Sequence, residues 1–343
     1  MFLTTEFLQN ALGYFGLYDE IKNLHKYLDI QQEDYFKIIM KVELETGNPL
    51  VIKVYSQTEG STIEHEQQGA FAEHLRRKGI PTPKRYAAGD QYCLDFKALT
   101  PKADIIVEQW CGECLQTINF SSAYEAGKLM AKMHTVSLRD NCSVSANTLF
   151  NAVDTNDVSG YSKFSELLAF GLPDETLSRG IVQKHNALLS NARELWDELP
   201  CCAVQGDISI NNLSYVNDVL YVYDFNNAGN VVLVSDLVLE GLLTAYEMDL
   251  GKDLTEADRP ALFKQFFQGY ESIRPLSANE RNAARYIYPA FDALWFSRIF
   301  DYSDPSSDHS LERAVKTGHV DSVHEILHDI NNRLDFDAGQ IFL

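Results

Sequence analysis

Ala203-Val204-Gln205-Gly206-Asp207-Ile208-Ser209-Ile210-Asn211-Asn212-Leu213, followed after a turn by Tyr221-Val222-Tyr223-Asp224-Phe225, is the stretch whose reading decides the fold. Asn217-Asp218 is a hairpin turn signal between two apolar runs. Pairing about that turn sets Asn212 opposite Tyr223 and beside Asp224, so their side chains can share one metal ion. Asp207, at the mouth of the loop, is left as an acceptor for a substrate proton. One carboxylate that orients a hydroxyl, with an Asn and a second carboxylate that hold Mg²⁺, is the minimal kit for phosphoryl transfer.

Working outward, the chain changes character near residue 110. Before it, β-rich runs dominate at Phe36–Leu44, Leu50–Tyr55, Arg85–Ala88 and Ile105–Trp110. One helix interrupts them: Ser61 and Glu64 read as a capping box, Ile63, Ala70, Phe71 and Leu75 recur at helical spacing, and Gly79, Pro81 and Pro83 stop it. Met1 to Leu17 reads as a short amphipathic helix. After residue 110 the pattern is helical, as in Ala123–His134 and Asp174–Leu199, and helical periodicity resumes from Asp236 to the end. The expectation is an α+β chain of two lobes, a β-rich lobe over 1–109 and a larger helical lobe over 110–343.

Composition narrows the function. The 343 residues are 45% hydrophobic and 23% charged, ordinary for a globular protein, and 29 Lys and Arg against 49 Asp and Glu leave a net charge of −20. Such a field repels phosphate backbones and anionic lipid, so neither nucleic acid nor a membrane is an expected partner; a cationic small molecule would be drawn in. No apolar run approaches a membrane span, since Val231–Leu243 is broken by Ser235, Asp236 and Glu240, and Met1–Leu17 lacks a signal peptide's basic start. Six Cys in so long a chain make no disulfide scaffold. A cytoplasmic protein is expected.

The spacing Asp207-x-x-x-x-Asn212 followed by Asp224-Phe225 closely resembles the aminoglycoside phosphotransferase/choline kinase family, the small-molecule branch of the protein-kinase-like fold. The family's loop usually reads H-G-D-x-x-x-x-N; here Gln205, also a donor and an acceptor, replaces the His. Val51-Ile52-Lys53-Val54 resembles the strand whose Lys contacts the nucleotide phosphates, and the helix after it should supply that Lys with a Glu. Glu64 is committed to the cap, whereas Glu66 lies on the face of Ile63 and Ala70, so Glu66 is the expected partner. Gly79-Ile80-Pro81-Thr82-Pro83 resembles the family's G-[IV]-P-x-P turn. Ile105 to Gly112, with Glu108 and Trp110, resembles the inter-lobe hinge whose backbone reads the adenine edge, and Ala126–His134 the helix ending in Leu-His, with Met133 for Leu. Asp236 falls where the family places a helix-starting Asp, and is read as a cap and loop brace.

The resemblance implies a Mg²⁺-dependent transfer of the ATP γ-phosphoryl group to a hydroxyl of a small molecule: an aminoglycoside, choline or ethanolamine, homoserine or a sugar. Asp207 would be the catalytic base, Asn212 and Asp224 the metal ligands, and Lys53 the phosphate contact. The segment Leu28–Tyr35, where the family has a Gly- or Ser-rich loop, has no Gly. That departure leaves open a nucleotide-binding regulator without turnover.

Other motifs have plainer readings. His324-Glu325-Ile326-Leu327-His328 matches H-E-x-x-H, but Asn331 stands where the extended zinc motif needs Gly. An amphipathic helix packing Val323, Ile326, Leu327 and Ile330 is the simpler expectation. Cys111 and Cys114 read as a reduced pair near the hinge. Tyr288, Asp292, Trp295, Arg298 and Asp301 fall about one helical turn apart; the stripe is half core, and Asp292, Trp295 and Asp301 are also candidates to face a cationic acceptor.

Overall fold

Apolar residues occupy every second position of Phe36–Leu44, and burial alternates along the strand with them, as a sheet with one covered face requires. The computed structural model describes residues 4–32, 35–58, 60–97, 102–146, 148, 160–301 and 310–342. The first part runs α1 (Thr5–Tyr14), β1 (Ile21–Gln31), β2 (Phe36–Leu44), β3 (Leu50–Ser56), α2 (Ser61–Arg77), β4 (Leu94–Phe96) and β5 (Ala103–Gln109). The strands form one antiparallel sheet of order β1-β2-β3-β5-β4. Ile38, Met40, Ile52, Val54, Ile105 and Val107 bury one face against Leu8 and Leu12 of α1. Lys53, Tyr55, Ile106 and Glu108 occupy alternate positions of β3 and β5, and Lys53 pairs in register with Ile106. By the period of two they share the opposite face.

The remainder is mostly helical: α3 (Phe120–Arg139), α4 (Tyr161–Phe170), α5 (Glu175–Leu195), β6 (Cys201–Val204), β7 (Leu213–Val216), β8 (Val219–Val222), β9 (Gly229–Val232), α6 (Leu233–Tyr246), α7 (Arg259–Glu271), α8 (Ala278–Ala293), α9 (Phe296–Ile299), α10 (Leu311–Thr317), α11 (Val320–Leu334) and α12 (Gly339–Phe342). The two-lobed α+β expectation holds. Helices α3 and α7 cross with their backbones in contact. A Cβ on Gly127 would lie 1.9 Å from the Phe266 carbonyl oxygen, and one on Gly269 2.0 Å from that of Tyr124. No other residue type fits either position.

Several local expectations are corrected. Helix α2 has Gly60 as its N-cap, in the left-handed region that Gly favours. Ser61 is the first helical residue: its hydroxyl accepts from Thr58 N–H at 3.1 Å and donates to Asp104 at 2.9 Å, so no Ser61–Glu64 box forms. Ile63 is 66% exposed, Ala70 is exposed too, and the buried face is Gln68, Phe71, Ala72 and Leu75. Arg85–Ala88 is no strand but makes isolated bridges, Arg85 to Glu108 and Ala88 to Gln91. Helix α6 begins three residues before Asp236, which sits in its first turn. In α11, Val323, Leu327 and Ile330 are buried while His328 is exposed, as the amphipathic reading of H-E-x-x-H expects.

Candidate active site

The β7–β8 hairpin has the expected register, Leu213 opposite Val222 and Ser214 opposite Tyr221. One step further, Tyr223 N–H donates to the Asn212 carbonyl at 3.0 Å, which brings Asp224 to the mouth of the loop. Gly206 turns the chain into that loop at φ +79°, where a Cβ would meet the Asn227 carbonyl oxygen at 2.4 Å. Gln205 staples the two halves: its Nε2 donates to the Asp224 carbonyl at 2.8 Å, and its Oε1 accepts from Asp207 N–H at 2.9 Å. Donor and acceptor of the Gln205 amide are both used.

Asp207 is held on both sides. Asn212 Nδ2 donates to its carbonyl at 3.0 Å and Asn227 Nδ2 to its carboxylate at 3.2 Å. Burial pushes its carboxyl above the ordinary range, the bond from Ser209 works against that, and the Asp224 charge adds to it. A carboxylate with raised proton affinity is a better base for a hydroxyl proton. Asp224 has φ +57° and caps the turn after it.

Lys53 is buried and meets two carboxylates, Glu108 at 3.0 Å and Asp224 at 3.1 Å. Burial alone would lower its ammonium, but the Asp224 and Glu108 charges outweigh it and hold the group above its ordinary value. Asp224 in turn stays below the usual carboxylate range, because Lys53 overcomes the cost of its burial. The expected Glu66 partner is elsewhere: Glu66 accepts from the Tyr92 and Cys93 amides at 2.6 and 2.9 Å, bracing the segment before β4. The physical reason is the turned face of α2. Ile63 and Ala70 point to solvent, while Thr62 and His65 reach Asp104 of β5 and Gln68 reaches the Asn226 carbonyl. The carboxylate for Lys53 therefore comes from β5, and Glu108 also lies 3.4 Å from the buried Arg85. Strand alternation was the available signal, since Glu108 shares Lys53's face of the sheet.

The hinge backbone is partly engaged. Gln109 N–H donates to the Lys84 carbonyl and Trp110 N–H to that of Pro49, both at 2.9 Å. The Trp110 ring is stacked on Tyr27 at 5.4 Å with Lys41 over it at 4.7 Å, and the Tyr27 hydroxyl donates to Glu113 at 3.0 Å. The ladder of β1 and β2 shifts register between Lys26 and Leu28, a bulge that aims Tyr27 at the hinge. Behind this clasp lies a cavity of about 30 Å³ lined by Val51, Glu108, Trp110, Gly112 and Tyr223, among others.

A divalent cation fits the donor set. Asn212 Nδ2 is committed to Asp207, which leaves Oδ1, and Asp224 gives one oxygen to Lys53, which leaves the other. Two hard oxygen donors with waters and phosphates suit Mg²⁺. Among the described residues His65, Cys93 and Asp104 also come within 4.8 Å of one another, but Asp104 is already saturated by Gln57, Ser61, Thr62 and His65. The late stripe is internal: Asp292 pairs with Arg333 at 2.9 Å, Trp295 is buried and donates to Glu247, and Asp301 pairs with Lys316 at 3.3 Å. None of these is left to receive a cation. No helix among the described residues is long and apolar enough to cross a membrane.

No family model and no curated protein sequence matches the chain. Its fold is similar to that of solved structures. One is an amicoumacin kinase in complex with AMP-PNP, Ca²⁺ and Ami, at 12% identity and TM-score 0.56 over 89% of this chain and 88% of that one. Another is an aminoglycoside phosphotransferase from Alicyclobacillus acidocaldarius subsp. acidocaldarius, at 12% identity and TM-score 0.53 over 92% and 93%. A third is a thermostable mutant of aminoglycoside phosphotransferase APH(4)-Ia in ternary complex with ADP and hygromycin B, at 13% identity and TM-score 0.51 over 97% and 98%. What is shared at such identities is the two-lobed kinase-like fold.

Proposed function

We propose that this chain is a Mg²⁺-dependent phosphotransferase of the aminoglycoside phosphotransferase/choline kinase type, which moves the γ-phosphoryl group of ATP to a hydroxyl of a small molecule. The observation that carries the proposal is that Lys53 of β3 bonds Asp224, Gln205 ties the Asp224 carbonyl to the Asp207 amide, and Asn212 holds the Asp207 carbonyl, so the four residues meet in one place. The similar folds bound to AMP-PNP with Ami, and to ADP with hygromycin B, support a nucleotide and a small-molecule acceptor.

Asp207 orients the acceptor hydroxyl and takes its proton, held in place by Asn212 and Asn227. Lys53 neutralises phosphate charge, and Glu108 fixes the Lys53 ammonium where it can do so. Asn212 and Asp224 would hold Mg²⁺, which when bound offsets charge on the transferring phosphoryl group. With no covalent intermediate to form, positioning and charge do the catalysis. The net charge of −20 favours an acceptor that carries an amine beside its hydroxyl, through the field of the whole surface. Free thiols at all six cysteines suit a reducing cytoplasm.

Calorimetric titration of Mg-ATP tests the assignment of the cleft. Wild type should bind, and a folded Asp224→Ala protein should bind more weakly; equal affinity in the two would remove Asp224 from the metal.

A further inference from the structure

A buried polar chain runs from the helical core to the catalytic loop. Arg274 Nη1 donates to the Tyr270 hydroxyl at 3.0 Å, that hydroxyl meets His134 Nδ1 at 2.9 Å, and His134 Nε2 meets Asp236 Oδ2 at 3.0 Å. One turn further along α6, Glu240 Oε2 accepts from Ile208 N–H at 2.7 Å, and Ile208 directly follows Asp207. Glu240 is 0% and Asp236 1% exposed. Asp236 Oδ1 and Glu240 Oε1 are both buried, and among the described residues neither has a hydrogen-bond partner. Positions four apart share a helix face. Two ionised carboxylates there would combine desolvation with like-charge repulsion, whereas one proton between them satisfies both orphaned oxygens.

We infer that Glu240 keeps a proton in the folded protein, donates it to Asp236 Oδ1, and with its other oxygen holds the Ile208 amide so that Asp207 is presented to the acceptor. Glu240 is a positioning residue that acts through the loop backbone. Burial, then the charges of Asp236 and Asp207, raise its proton affinity, and the Ile208 bond opposes them. The surrounding groups are His134 of α3, Tyr270 of α7 backed by Arg274, and Cys202 of β6, which senses Asp236. Strand β9 has no titratable side chain, and α8 places Tyr288 and Asp292 beside Tyr246, at the far end of α6. The positioning role rests on the phosphotransferase reading; the proton on Glu240 does not.

The test joins infrared spectroscopy to kinetics on the full chain. Wild type near neutral pH should show a protonated-carboxyl C=O band that Glu240→Gln removes; no such band, or one unchanged by the substitution, overturns the inference. Gln keeps both bonds, so Glu240→Gln should retain kcat within a few-fold and leave the acid limb of kcat/KM in place. Glu240→Leu should lose about 10- to 100-fold in kcat with the KM for ATP unchanged, since small displacements of a catalytic group are that costly. An acid limb moved down by about one pH unit in Glu240→Gln means that an ionised Glu240 had been raising Asp207, and refutes the proton. Should Glu240→Leu not fold, the band and the Gln profile still decide. Absence of turnover in wild type, with the band present, would defeat the phosphotransferase reading and leave the proton standing.

Discussion

Replacing Glu108 separates the carboxylate that serves Lys53 from the one on α2. Its side chain is buried between Lys53 at 3.0 Å and Arg85 at 3.4 Å. In Glu108→Ala, Arg85 loses this carboxylate and Lys53 keeps only Asp224. Breaking a buried ion pair from one side costs about 3–5 kcal/mol, so the unfolding free energy should fall by that order. Glu108→Gln keeps the shape and an acceptor oxygen, and about 1–3 kcal/mol is expected from the lost charge assistance. Lys53, drawn wholly to Asp224, should then compete with the cation, and Mg-ATP affinity should drop. Glu66 instead receives two amides at 2.6 and 2.9 Å. Glu66→Gln retains that acceptor, so nucleotide affinity should stay at the wild-type value. Urea unfolding and Mg-ATP calorimetry on the three variants provide the assay. Nucleotide binding lost in Glu66→Gln and preserved in Glu108→Gln would refute the reassignment.

Asp207→Ala should lower kcat by about 10²- to 10⁴-fold while Mg-ATP affinity stays within a few-fold, and the wild-type rate should rise with pH through an acid limb above the ordinary carboxylate range, because burial raises Asp207; rate profiles and calorimetry check both. His185 is buried against Tyr161, and burial holds its pKa down to about 4 from 6.5. It folds neutral while the unfolded chain takes up a proton below pH 6.5, so stability present above that pH should fall by about 3 kcal/mol as pH drops to 4, and His185→Phe should flatten the slope in denaturant titrations. Gly127→Ala, whose Cβ would lie 1.9 Å from the Phe266 carbonyl oxygen, should separate α3 from α7 and lower Tm more than Gly180→Ala, which has open space around it.

The β7–β8 hairpin was legible because its signals are local: a turn pair and a register that follows from it. The alternation of β2 and the amphipathic stripe of α11 were legible for the same reason. The partner of Lys53 was not. Glu66 and Glu108 are both plausible by residue type, and the choice depends on the rotation of α2 about its axis. That rotation is set by Asp104, which gathers Ser61, Thr62 and His65 from a strand about forty positions away. Asp292 and Trp295 show the converse. Their helical spacing is visible in sequence, but the groups that occupy them, Arg333 of α11 and Glu247 just past the end of α6, are distant in sequence. The brace on Asp207 is equally non-local, because Glu240 reads in sequence as a break in an apolar helix.

Phosphorus NMR of a reaction containing the purified chain, Mg-ATP and a panel of hydroxylated small molecules tests transfer itself. ATP should be consumed with a new phosphomonoester signal on at least one acceptor, strongest among those bearing an amine, and Asp207→Ala should abolish that signal. A protein that binds Mg-ATP yet yields no phosphomonoester with any acceptor, or one whose signal survives in Asp207→Ala, would contradict phosphoryl transfer through Asp207.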